Sequence, residues 1–299
     1  MKRFSVISVG LLLAASSQSF GDCFPANNLA NEDMTFLTSM TEKDFNQAID
    51  EVLAVYNPAV GSHGATLTVN RLWTDATVNA NAGQTDATHW LLNMYGGLAR
   101  RPEITRDGFQ LVVCHELGHQ LGGFPFKDND NTAHGFAAAE GQADYFATQE
   151  CAHRLWRSQG TVNAQAAKAV NVTAKASCDK SWKSVTDRNV CYRTANAGLS
   201  LATLLATLES SSTPNFAKKD PSVVTATDIN HPKAQCRLDT YLAGNICTKA
   251  FDLSKIPGRH NPAGQMSLDA EKEEATTSCT KTSGFSVGLR PGCWFKARL

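Results

Sequence analysis

Two histidines four residues apart around a glutamate, His115-Glu116-Leu117-Gly118-His119, are the residues of this chain best arranged to do chemistry. On a helix, side chains at that spacing share one face, with about 5–6 Å between their Cβ atoms. Both imidazoles can then reach one Zn²⁺ at about 2.0–2.1 Å. Glu116 points to the neighbouring side of the same face, where it can hold a water and take its proton as the water attacks a carbonyl. Such a site needs a third protein ligand and one open position. Glu140, in Ala139-Glu140-Gly141-Gln142-Ala143-Asp144, is the carboxylate expected to supply that ligand from a second helix. Asp144 follows one turn later on the same face, where an aspartate can accept the outer N–H of a zinc-bound imidazole and fix its tautomer. His134 is the rival third ligand. Gly122 fits the longer pattern H-E-x-x-H-x-x-G-x-x-H, but Pro125 stands where its third histidine belongs, which disfavours that class of site. Asp128-Asn129-Asp130 looks like the start of a calcium loop, yet Ala133 and Ala139 occupy its glycine and glutamate positions.

These residues need elements to position them. Phe109, Val112, Val113, Leu117 and Leu121 predict a helix carrying the motif, with Thr105 as its N-cap and Gly122-Gly123 and Pro125 as its stop. A small-residue-rich helix over about 136–156 is expected to carry Glu140 and Asp144. Upstream, Phe36, Leu37, Met40, Phe45, Ile49, Val52, Leu53 and Tyr56 recur at helical spacing over 31–56, and Asn57-Pro58 ends that pattern. Alternation over 66–72 predicts a strand, and 77–82 and 89–95 predict two more, separated by the turn-rich Gly83-Gln84-Thr85-Asp86. Residues 160–187 have no strong period. A helix is expected over 189–208, a linker-like stretch over 210–221 and a short helix after His231-Pro232. Irregular structure is expected from Ile256 onward. The sequence contains no internal repeat and no low-complexity tract.

The 299 residues include 28 Lys+Arg and 28 Asp+Glu, a balance that gives no electrostatic footprint for nucleic acid or an anionic membrane surface. Met1-Lys2-Arg3, the apolar run to Ala15 and the small residues before Asp22 have the pattern of a secretory leader cut after Gly21. That run is too short to span a membrane, and no later stretch reaches roughly 18 uninterrupted apolar residues. The expectation is an exported protein, periplasmic or secreted, with its nine cysteines in a compartment that permits disulfides. Cys178/Cys191, Cys236/Cys247 and Cys279/Cys293 are close in sequence and are expected to pair locally, with Cys114 left unpaired inside its helix. The expected division is a leader over 1–21, a catalytic domain over 22–250 and an irregular cysteine-containing extension over 251–299.

The motif His115–His119 with Glu140-x-x-Ala143-Asp144 resembles the gluzincin zinc metallopeptidases of the CAAX-prenyl-protease/HtpX type, the forty-eighth metallopeptidase family. Asn79-Ala80-Asn81-Ala82 resembles the N-A-x-A segment of that family, and Asp228-Ile229-Asn230-His231-Pro232 followed by Arg237 resembles its late T-H-P-x-x-x-x-R-I segment. The resemblance spans about residues 66–245; the cysteine-rich tail departs from it. It implies an α+β, zincin-like fold, mostly helical, with a small mixed sheet whose edge strand precedes the H-E-x-x-H helix. It also implies one zinc per chain on His115, His119 and Glu140, with Asp144 behind them and Glu116 as general base. His231, or Arg237, would come near the metal to donate to the oxyanion or gate the site. The substrate would be a protein or peptide segment added as a strand along residues 89–97, held by backbone hydrogen bonds. The expected activity is therefore hydrolysis of peptide bonds in extended or unfolded protein. A non-cleaving strand-capturing chaperone or adaptor and a cell-wall peptide metalloamidase are the alternatives.

Overall fold

The structure is a computed structural model that describes residues 19–29, 40–128 and 135–299. Four strands form one mixed sheet: β1 (Ser19–Asp22), β2 (Thr66–Leu72), β3 (Ala80–Asp86) and β4 (His89–Tyr95), in the order β1-β3-β4-β2. β2 runs parallel to β4, whereas β3 is antiparallel to both β4 and β1. A ladder of asparagines crosses the sheet, Asn70 donating to Asn93 at 2.8 Å and Asn93 to Asn81 at 2.7 Å.

The helices are α1 (Glu42–Ser62), the short α2 (Gly96–Ala99) and α3 (Arg106–Leu121), which carries the H-E-x-x-H motif. Next come α4 (Glu140–Phe146), a π-helical segment (Ala147–Cys151), α5 (Ala152–Trp156), α6 (Gly160–Ala166) and α7 (Val172–Ser181). The series ends with α8 (Val185–Leu208), α9 (Ala234–Asn245) and α10 (Leu268–Glu274). α3 is the central element. Thr105 caps it by accepting from the Gly108 N–H at 3.0 Å, and every residue from Gly108 to Leu121 is buried between α1, α4, α8 and the sheet. A helix enclosed on all sides must satisfy each polar side chain it carries, so its two histidines and its glutamate demand partners.

The α+β class, the helix carrying H-E-x-x-H and the Thr105 cap agree with expectation; several details do not. β4 is not an edge strand, because β2 and β3 occupy both of its sides, so no peptide can add along His89–Tyr95. β3 runs on through Gly83-Gln84-Thr85 to Asp86, and the turn falls at Ala87-Thr88, where the Asp86 carboxylate accepts from the Thr88 and His89 N–H groups. α1 continues through Pro58 because its buried stripe extends to Val60; packing of that face outweighs the hydrogen bond the proline forfeits. Part of its expected range, 31–39, lies outside the described residues. The weakly patterned stretch 160–187 holds α6 and α7, the latter capped by Asn171 and tied to α8 by Cys178–Cys191. The expected leader lies mostly outside the described residues, but Ser19–Gly21 pair with β3.

Disulfides join Cys114 to Cys151, Cys178 to Cys191, Cys236 to Cys293 and Cys247 to Cys279, and Cys23 is the free, buried cysteine. Of the expected local pairs only Cys178/Cys191 forms, and Cys114 is bonded. Cys236 lies in the first turn of α9 and Cys247 just beyond its C-cap, so a helical stretch of about 14 Å at 1.5 Å rise per residue separates them, beyond the reach of a disulfide. Each instead fastens the C-terminal segment to the helices. That segment packs Trp294 on Gly141 in α4, where even a Cβ would sit 2.3 Å from the indole, and its Arg290 donates to Gln142 and to the Phe124 carbonyl. No helix among the described residues is long and apolar enough to cross a membrane. Cys114–Cys151 spans 37 residues and ties the motif helix to the π-helical segment. Loop closure of that length predicts that Cys114→Ala with Cys151→Ala loses about 3–4 kcal/mol in urea unfolding. A loss below about 1 kcal/mol would show that the cross-link does not constrain the chain.

Candidate metal centre

His115 and His119 project from α3 toward Glu140 at the first turn of α4, and their ligand atoms lie within 4.8 Å of one another, all fully buried. Nε2 of His115 is 3.2 Å from Glu140 Oε2, and Nε2 of His119 is 3.5 Å from Glu140 Oε1. Gly118 makes this approach possible. A Cβ there would stand 2.8 Å from the Cα and carbonyl oxygen of Ala143, so only glycine lets α4 come this near.

The outer nitrogen of each imidazole is already committed. Nδ1 of His115 is 2.7 Å from Asp144 Oδ1, and Nδ1 of His119 is 2.7 Å from the Ala138 carbonyl oxygen. A carbonyl and an ionised carboxylate can only accept, so both Nδ1 atoms carry a proton and each ring turns its Nε2 to the centre, where a bound metal would take the place of any second proton on His115. Asp144 is held in turn by Arg237, whose Nε and Nη2 each donate to it at 2.6 Å. Lys127 Nζ lies 2.5 Å from Glu140 Oε1.

The electrostatics follow from this packing. Burial opposes charge on His115, yet the Asp144 and Glu140 carboxylates on its two sides together outweigh it and lift the imidazole to about 9. Burial lowers His119 to about 3, so it stays neutral. Against their own burial, Asp144 is held below the usual carboxylate range chiefly by Arg237, and Glu140 well below it chiefly by Lys127. Burial pushes the Glu116 carboxyl well above that range, and neither of its oxygens has a hydrogen-bond partner. Nε2 of both histidines and Oε2 of Glu140 likewise lack hydrogen-bond partners. Five orphaned buried polar atoms on four neighbouring side chains are what a metal and its water would satisfy, and two imidazoles with a carboxylate suit a divalent ion such as zinc.

Of the residues expected at the site, His115, His119, Glu140, Glu116 and Asp144 come together. His231 arrives from the segment before α9 with Nε2 3.6 Å from Glu140 Oε1, and donates to the Asp22 carbonyl at 2.7 Å. Arg237 grips Asp144 and the Cys23 carbonyl rather than facing the three ligand atoms directly. His134 lies outside the described residues. Lys127 and the segment Asp22-Cys23 escape the sequence reading. Lys127 looks like loop polarity, and the only trace of Cys23 is the odd number of cysteines. Comparison of the chain with models of protein families, with curated proteins and with solved structures finds no match.

Two substitutions test this arrangement. Gly118→Ala should separate α3 from α4 and abolish stoichiometric metal binding, measured by metal analysis after dialysis. Asp144→Asn keeps the shape but weakens the grip on the His115 N–H, and metal affinity should fall about 10–100-fold by competition with a chelator. Full retention of metal by either variant would contradict the geometry.

Proposed function

We propose that the protein is an exported zinc endopeptidase of the gluzincin type, with a zincin-like catalytic domain, that hydrolyses peptide bonds in extended or unfolded protein segments. The observation that carries this reading is the Glu116 carboxylate, buried, without a hydrogen-bond partner, and one residue from a ligand histidine. A strand-capturing adaptor could keep the three ligand residues for stability, but nothing in that role requires a carboxylate beside them. Four disulfides and a chain without a membrane-spanning helix among its described residues support export.

Zinc bound by His115, His119 and Glu140 would polarise the scissile carbonyl and make water acidic enough to attack near neutral pH. The chain's own groups do the rest. Glu116 takes the proton of the attacking water and passes it to the departing amine nitrogen. Asp144, clamped by Arg237, keeps the His115 proton on Nδ1, and the Ala138 carbonyl does the same for His119. Lys127 balances part of the Glu140 charge. His231, which directs Nε2–H at a backbone carbonyl in this structure, is suited to donate to the carbonyl of a bound peptide. With β4 enclosed, a substrate added as a strand would take the outer edge of β3 in place of β1, along Asn81–Gln84, whose Asn81 end lies opposite Asp22 and so nearest His231.

The test is made on purified protein that begins at Asp22. One zinc per chain and cleavage of unfolded casein are expected. Glu116→Gln should keep the zinc and lose at least about 10³-fold in kcat/KM, while Glu140→Ala should lose the zinc itself. Zinc-loaded wild type that leaves casein intact yet releases peptide from cell-wall fragments would move the assignment to the metalloamidase. Inertness toward both would leave the adaptor.

A further inference from the structure

The outer edge of β3 is not open in this structure. Ser19, Phe20, Gly21 and Asp22 pair antiparallel with Gln84, Gly83, Ala82 and Asn81. The Cys23 N–H then donates to the Ala80 carbonyl at 2.9 Å, and Asn79 binds both backbone groups of Phe24, accepting from its N–H at 3.0 Å and donating to its carbonyl at 3.1 Å. The segment thus lies along the whole face that a peptide strand would use, and it continues over the metal centre. There His231 donates to the Asp22 carbonyl and Arg237 to the Cys23 carbonyl. Cys23 is fully buried, its Sγ within 4.8 Å of ligand atoms of His115 and Glu116. Backbone pairing, two side-chain donors on consecutive carbonyls and burial against the candidate base are what an extended peptide would be offered here.

We propose that Ser19–Cys23 is a built-in occupant of the peptide groove, which keeps the chain inactive until the segment is displaced, and that cutting the Gly21–Asp22 bond begins this displacement by removing most of its pairing with β3. The occupant and a substrate compete for the same row of β3 backbone groups, so the two cannot be bound together. Hydrolysis of the Gly21–Asp22 bond, with water supplying hydroxyl to the Gly21 carbonyl and hydrogen to the Asp22 nitrogen, detaches three of the four β1 residues and frees the edge at Ala82–Gln84. The sequence places the expected leader cut at this same bond. Latency rests on the peptidase reading; occupancy of the groove does not.

Hydrogen exchange separates the two. In the full chain the amides of Ala82 and Gln84, which face β1, should be protected, and in the chain beginning at Asp22 they should exchange at least tenfold faster. Gly21→Pro in the full chain removes the strand N–H that faces β3 and should show the same loss without shortening the protein. A synthetic peptide with the sequence of residues 17–26 should restore protection to the shortened chain. Equal exchange in all forms overturns the proposal, whether or not any form cleaves casein. Where the Asp22 form cleaves, the full chain should be at least tenfold slower and the peptide should inhibit; equal rates and an inert peptide overturn the latency.

Discussion

How closely α3 and α4 can approach governs the rest of the structure. Gly118 and Ala143 meet where any larger pair would hold the helices apart, and the two carboxylates of α4 therefore address one imidazole from both sides. Glu140 stands 3.2 Å from Nε2 of His115 and Asp144 2.7 Å from its Nδ1. One turn of helix separates the two acids, and one five-membered ring bridges that turn. The ring cannot rotate without losing both neighbours, which fixes the direction of its inner nitrogen. His119 gains the same fixity from a backbone carbonyl, because Ala138 precedes α4 and moves with it. A shift of α4 would disturb the third ligand and the orientation of both histidines together.

The outer parts of the molecule serve that approach. Trp294 covers Gly141 on the far side of α4, and the segment bearing it is fixed to α9 through Cys236–Cys293. Cys247–Cys279 fastens the end of α9 to the same region, and Cys114–Cys151 binds α3 to the π-helical segment that follows α4. α9 also delivers Arg237, so the helix anchored by two disulfides is the one that orients Asp144. The 251–299 segment is irregular in secondary structure outside α10, yet it forms part of the wall around the site.

Local signals were legible in the sequence and long-range ones were not. The spacing of His115, Glu116 and His119, the Thr105 cap and the Gly122 stop all lie within one helix, where periodicity and capping chemistry report directly. Glu140 and Asp144 were found because a second short motif pairs with the first. The partners of the cysteines were misread because closeness in sequence is a poor guide once a helix intervenes: α9 carries Cys236 and Cys247 to opposite ends. The place of β4 in the sheet was misread for a related reason, since β2 joins it in parallel with the whole of β3 between them in sequence, and alternation cannot tell an edge strand from a central one. Lys127 and Arg237 acquire their roles only through contacts 13 and 93 residues away in sequence.

The charges at the centre bear on whether it is more than scaffolding. Among the described residues, Glu116, Glu140 and Asp144 are completely buried there. Arg237 answers Asp144 with two hydrogen bonds, and Lys127 answers Glu140. Glu116 has no basic partner of its own. A buried carboxylate left without compensation is costly enough that it either takes up a proton or acquires a cation and a donor. If position 116 served only the fold, an apolar side chain would fill the same space without that cost. A divalent ion on the neighbouring histidines would supply the missing positive charge, and a water on that ion would supply the missing hydrogen-bond donor. The residue whose burial has no structural return is the one that the proposed hydrolysis would use as a base.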